Sequence, residues 1–111
     1  MTSIRKIPGS SHQQNDRELA QDLYEKNRFI KALEILQRYS LDEMELSTRF
    51  LMGKVHLKLR HFAEAKLYLE RVFSEDRKNK QVLRLLIETH NCLHEYQLVL
   101  FYLNHLFKLD G

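Results

Sequence analysis

A set of residues recurs along this chain at intervals of 33 and then 34, and that period restricts the fold more than any other feature. Phe29, Phe62 and Tyr96 form one column, Ala32, Ala65 and Val99 a second, and Leu36, Leu69 and Leu103 a third. Leu19, Met52 and Leu86, then Ala20, Gly53 and Ile87, then Tyr39, Val72 and Leu106 keep the same intervals, and Asp42, Asp76 and Asp110 close each unit. Recurrence of aromatic, small and large apolar positions marks a repeat architecture, in which one supersecondary unit is stacked on copies of itself because it cannot bury its apolar face alone. Within the units the apolar residues fall three and four apart, as in Leu19 and Leu23 and then Phe29, Leu33 and Leu36, which gathers them on one side of a 3.6-residue helix. Strand alternation is absent.

Breaks fall near Asn27, between Ser40 and Glu43, near Arg60-His61, across Ser74 to Asn79 and near His94, which leaves six helices paired as three hairpins. Asparagine tolerates the left-handed conformation that closes many helices. Ser40 and Glu43 have capping-box spacing, which predicts a helix start. Ahead of the periodic region, residues 1–15 end in the polar string Ser10-Ser11-His12-Gln13-Gln14-Asn15 and carry no apolar pattern. Burial cannot offset the entropy of ordering such a segment, so 1–15 is expected to be a flexible tail and 16–111 the folded domain. At 111 residues the chain supports one small core. Three well-separated glycines, Gly9, Gly53 and Gly111, cannot form a Gly-rich phosphate loop.

The lone Cys92 has no intramolecular disulfide partner, and Met1 to His12 lacks an apolar run of signal-peptide length, so a reduced, cytoplasmic setting is expected. The longest apolar stretch, Leu98 to Leu103, is far short of the ~20 residues of a membrane-spanning helix, so no membrane is expected among the partners. The net charge of +3 comes from 18 basic and 15 acidic residues that are interleaved, which gives no single-sign field and does not call for nucleic acid.

Met52-Gly53, His56, Phe62-Ala63-Glu64-Ala65, Leu69 and Val72 resemble the tetratricopeptide repeat, a helix–turn–helix unit with small residues where its two helices touch. The resemblance covers about residues 13–111, in units of about 13–45, 46–79 and 80–111. It implies an all-α protein whose three hairpins stack as a right-handed α-solenoid. Gly53 and Ala65 lack bulky side chains, so two helix axes can approach while Phe62 and Leu69 fill the flanks. The family's tryptophan position holds Asp16, Arg49 and Leu83, and in the third unit Ile87 and Val99 replace the small pair.

Chemistry of other kinds finds little support in the residues. His90 and His94 are four apart with Cys92 between them, which is metal-ligand spacing on a continuous helix. Two residues along a helix turn a side chain by about 200°, however, which takes Cys92 to another face. His90 also shares a repeat column with His56, and packing between helices is the expected role; no metal or other cofactor is predicted. Ser3, Ser10, Ser11, Ser40, Ser47 and Ser74 have no identifiable base, and Asp42, Glu43 and Glu45 read as first-turn residues complementing a helix dipole. No catalytic residues are assigned and no enzyme is expected.

Surface recognition remains. In stacked hairpins the first helices of successive units line a concave groove, and the family resemblance assigns to it Gln14, Arg17, Gln21 and Tyr24, then Ser47, Phe50, Lys54, Leu57 and Lys58, then Gln81, Arg84 and Glu88. Phe50 and Leu57 lie off the core stripe of Met52, Val55 and Leu59, and Arg17, Lys54, Lys58 and Arg84 surround them. A basic groove with an apolar centre suits a protein or peptide segment with an acidic or carboxyl-bearing end. Some members of the family grip a chaperone's carboxyl terminus with a lysine–asparagine–arginine clamp, but the matching positions hold Arg17, Gln21, Leu51, Gln81 and Leu85, and Leu51 cannot replace an asparagine donor. The last helix should turn Tyr96, Val99, Leu100, Leu103, Leu106 and Phe107 to the core and leave Leu98, Phe101 and Tyr102 for self-association, as a homodimer, or for docking into an assembly. The alternative is a helical-repeat RNA binder using Arg77, Lys78, Lys80 and Arg84; against it, Tyr24 and Phe50 are the only stacking candidates in the groove.

Overall fold

The computed structural model describes residues 11–110. Among these, six α-helices follow one another: α1 (Ser11–Glu25), α2 (Phe29–Leu36), α3 (Leu46–Lys58), α4 (Phe62–Glu75), α5 (Lys80–Cys92) and α6 (Tyr96–Asp110), with a 3-10 turn at Leu41–Glu43 between α2 and α3. They pair as three antiparallel hairpins stacked in series, and no helix among the described residues is long and apolar enough to cross a membrane. The stack is elongated, 52 × 26 × 20 Å with a radius of gyration of 14.9 Å, against about 13 Å for a compact domain of this length.

The turns inside the hairpins share one device. Asn27, Arg60 and His94 have φ of 62°, 64° and 61°. In each case the next residue donates its N–H to the carbonyl five positions back: Arg28 to Leu23 and His61 to His56 at 2.8 Å, Glu95 to His90 at 2.9 Å. That six-to-one bond satisfies a carbonyl the helix end would leave orphaned. The Ser40–Glu43 box is present, with the Glu43 carboxylate accepting from the Ser40 N–H at 2.8 Å and from its hydroxyl at 3.2 Å. It opens the 3-10 turn and not an α-helix; α3 starts at Leu46. Asn79 caps α5 by accepting from the Val82 N–H at 3.1 Å.

The expected boundary between tail and domain at residues 15 and 16 needs correcting. Residues 1–10 lie outside the described residues, whereas 11–15 form the first turn of α1 and not a tail. Gln13 is buried there, donating to the Glu43 carbonyl at 3.1 Å and accepting from the Glu45 N–H at 2.8 Å. Its amide replaces both lost water contacts, so a polar residue is buried without an unsatisfied group.

Packing is close where the small residues were expected. Gly53 is buried against α4, and a Cβ built on it would stand 2.7 Å from Leu69 Cδ2 and 2.8 Å from Leu69 Cγ. Leu51, Met52 and Val55 of α3 join Ala32, Leu33 and Leu36 of α2 in one apolar cluster; Val82, Leu83 and Leu86 of α5 join Ala65, Leu69, Val72 and Phe73 of α4 in the other. The first helix of each unit therefore covers the second helix of the unit before it.

That rule explains where the columns break. Met52 and Leu86 are buried, but Leu19 in the same column is 50% exposed, because no helix precedes α1 among the described residues. Leu36 and Leu69 are fully buried, but Leu103 is 44% exposed, because among the described residues no helix lies across α6 as α3 lies across α2. The expected core stripe of α6 is overturned for the same reason. Tyr96, Leu100, Leu103 and Phe107 face outward, Phe107 at 77%, while Val99 and Leu106 are half-buried. Tyr102, expected on the docking patch, is buried: its ring stacks on His90 at 5.3 Å and meets Phe73 edge-on at 5.4 Å. Leu98 and Phe101 are exposed.

Candidate functional site

Three cavities run in series along α3. The first, of about 480 Å³, is lined by Glu45, Leu46, Ser47, Phe50, Val72 and Asn79. The second, of about 340 Å³, adds Arg17, Glu18, Gln21, Leu51 and Lys54 to Ser47 and Phe50. Tyr24, Lys54, Leu57, Lys58, Leu85 and Glu88 line the third, of about 140 Å³. Phe50 is the wall shared by the first two and Lys54 the wall shared by the last two. Phe50 and Lys54 are one helical turn apart, so their side chains lie on one face of α3.

Lys54 sits at the centre. Its ammonium lies 4.7 Å from the Phe50 ring centroid and 5.4 Å from that of Tyr24, within range of cation–π attraction. Burial lowers its pKa, opposed by the Glu25 carboxylate. Burial also raises the Tyr24 hydroxyl, helped by Glu88. The Tyr24 ring is fixed edge-on against Phe29 at 5.5 Å.

Nine of the twelve expected groove residues, Arg17, Gln21, Tyr24, Ser47, Phe50, Lys54, Leu57, Lys58 and Glu88, meet around these cavities; Gln14 on α1 and Gln81 and Arg84 on α5 are exposed and line none of the three. Their roles differ from the expectation in two respects. Leu57 is a core residue, buried in one cluster with Leu69 and Leu86. Arg17 is not an open cation: its guanidinium pairs with the Glu45 carboxylate and reaches Thr48 Oγ1 at 3.5 Å. With Glu18, Glu45 and Glu88 among the lining residues, the groove is mixed in charge, and Lys54 and Lys58 carry what basic character it has. Sequence reading overlooked Leu46, Val72, Asn79 and Leu85; the available signal for Leu46, Asn79 and Leu85 was their place at the starts and flank of the first helices α3 and α5, whereas Val72 belongs to the second helix α4 and reads as core.

The basic cluster lies elsewhere. Arg77 stacks over Phe73 at 4.8 Å and Lys80 is held by Asp110 at 2.6 Å, at the α4–α5 turn and α6 end. His90 and His94 do not share a helical face, because α5 ends at Cys92 and His94 adopts the left-handed turn, 2.6 Å from the Tyr96 hydroxyl. His90 is fully buried, with Nδ1 2.6 Å from Glu95 Oε1 and Nε2 3.4 Å from Glu70 Oε2. In the preceding unit the same two columns hold His56 and His61, whose Nδ1 atoms are 3.1 Å apart, so one ring donates and the other accepts.

Helical hairpins of 33 to 34 residues, small residues at their contact and a groove along the first helices define a tetratricopeptide-type repeat protein. The chain superposes on MamA (AMB-1) with a TM-score of 0.77 at 19% identity, covering 87% of this chain and 54% of that one, and on MamA (MSR-1) at 0.75 and 19%, covering 89% and 57%. It thus spans little more than half the length of those structures, and the likeness is one of fold. Residues 5–72 match the family described as anaphase-promoting complex, cyclosome, subunit 3, and the chain belongs to that family. No curated protein matches it.

Proposed function

We propose that this chain is a non-catalytic scaffold that holds protein partners together within a multiprotein assembly, taking an extended segment of one partner along α3 and docking through the open face of α6. The carrying observation is the continuity of the three cavities past Phe50 and Lys54. Phe50, Tyr24 and Leu85 offer apolar contact, and a half-buried ammonium between two rings gains from an incoming carboxylate, because charge-assisted bonds strengthen where water is scarce. The bound segment accordingly pairs an apolar residue with an acidic or carboxyl-bearing one. The family's description names a subunit of a complex, which supports an assembly as the setting, and the free thiol of Cys92 fits a reducing, cytoplasmic one.

The test is a set of labelled extended peptides, each with one aromatic or leucine anchor flanked by either acidic or basic residues, titrated against wild-type protein and Lys54→Glu. Acidic peptides are expected to bind and to lose about tenfold in affinity with Lys54→Glu, at unchanged helicity. Equal binding of acidic and basic peptides, or indifference to Lys54→Glu, refutes the reading.

A further inference from the structure

We propose that the open face of α6 seats one amphipathic helix of a partner chain, laid across it as α5 lies across α4. That helix presents apolar residues at i, i+1 and i+4 and a carboxylate just before its first turn. The proposal rests on the scaffold reading but on a different surface from the groove.

The chain contains two worked examples of the contact. Leu103 stands in the column of Leu36 and Leu69, and Phe107 in the column of Phe73; those three are buried because α3 covers α2 and α5 covers α4. Each covering helix brings an apolar triplet of the same spacing, Leu51, Met52 and Val55 in α3 and Val82, Leu83 and Leu86 in α5. On α6 the matching face is open, with a shallow cavity of about 390 Å³ lined by Leu100, Leu103, Asn104, Leu106, Phe107 and Asp110. A contiguous apolar face of large side chains is the mark of an interaction site.

Charge identifies the occupant further. Arg17 on α1 pairs with Glu45, the residue before the first turn of the next unit's α3. Arg84 holds the column of Arg17 on α5 and is exposed, so a helix arriving on α6 meets it with the residue that precedes its first turn. A carboxylate there repeats the Arg17–Glu45 pair. The α1 of a second copy does not fit: in the columns of Val82 and Leu86 it carries Asn15 and Leu19, with Glu18 and Asp22 exposed around them, while Asp16, in the column of Leu83, is already buried in its own hairpin against the Tyr39 hydroxyl. Docking α1 onto α6 would bury polar and charged groups against leucine and phenylalanine.

The probe is a fluorescent peptide of residues 78–94, which contains α5, and its Asn79→Asp form, which puts a carboxylate before the first turn. Both are titrated by anisotropy into the full chain, into Leu103→Glu/Phe107→Glu, into Leu100→Lys as a second lesion of the same face, and into Arg84→Glu. The wild-type chain should bind both peptides, the Asp form several-fold more tightly; either α6 variant should weaken binding about tenfold or more, and Arg84→Glu should reverse the preference for Asp. Circular dichroism checks that the variants stay folded, which the exposure of all four substituted positions favours. Lys54→Glu, which tests the groove, should leave this binding unchanged. No binding to wild type up to about 1 mM peptide overturns the proposal, and so does binding that survives both α6 variants, which would mean the peptide displaces α5. A stable wild-type dimer that the α6 variants dissolve and the peptide does not would assign the face to a second copy and overturn it equally.

Discussion

Gly53→Ala sets two effects of known sign against each other. Alanine in place of glycine inside a helix is worth about 1 kcal/mol in propensity, and at an open position the change would stabilise α3. Here the new methyl lands 2.7 and 2.8 Å from Leu69, a fully buried side chain, so Leu69 must shift within a filled core. Overpacking of that kind costs about 1–3 kcal/mol, so Gly53→Ala should come out destabilising by roughly 1 kcal/mol net of the propensity gain. The sign should reverse once Leu69 is removed. Leu69→Ala alone costs about 2–5 kcal/mol, but in that background the Gly53 methyl enters the vacated space and only the propensity gain of about 1 kcal/mol remains. The double-mutant cycle should therefore show a coupling of about 2 kcal/mol, read from urea unfolding of the four proteins by circular dichroism. If Gly53→Ala stabilises the wild type, or costs the same with and without Leu69, helix approach at this column does not depend on glycine.

Three further outcomes are expected. Gln13→Ala should lower stability by about 1–3 kcal/mol in the same assay, because it strands the Glu43 carbonyl and Glu45 N–H; a change within error would mean water replaces the amide. Tyr102→Ala should cost about 3–5 kcal/mol and Phe107→Ser less than about 0.5 kcal/mol, so equal losses would show the buried face of α6 to be misassigned. Burial, with His61 second, holds His56 below its ordinary 6.5, against the opposing pull of Glu64. The unfolded chain then takes up its proton first, so stability should fall as pH drops below about 6.5 and level off once the folded His56 charges. His56→Tyr should flatten that slope, and an unchanged pH profile in the variant would contradict it.

The turns were legible because glycine-poor helix ends still need a left-handed residue, and Asn27, Arg60 and His94 recur with the period. The hairpin contact was legible because Ala20 and Gly53 in one column, and Ala32 and Ala65 in the other, are small. What the sequence concealed was which neighbour covers which column. Leu103 and Leu19 belong to buried columns, yet the helix that buries each column comes from an adjacent unit: Leu36 depends on Leu51, Met52 and Val55, and Leu69 on Val82, Leu83 and Leu86. On α6, apolar residues on every side left periodicity without a direction, and Tyr102 and Leu100 exchanged places relative to the expectation. The groove was found as a set of residues but not as a charge pattern. The pairing of Arg17 with Glu45 joins residues 28 apart that a chain-order reading has no reason to connect.

The smallest of the three cavities draws its walls from all three hairpins: Tyr24 from α1, Lys54, Leu57 and Lys58 from α3, and Leu85 and Glu88 from α5. In a one-dimensional stack each interface flexes independently, so the compliances add like springs in series and the curvature of the whole fluctuates with every joint. A side chain wedged into that cavity ties the two joints to each other. Its occupant would act as a stay across the arc, fixing the angle at which α6, at the far end of a 52 Å body, is held out.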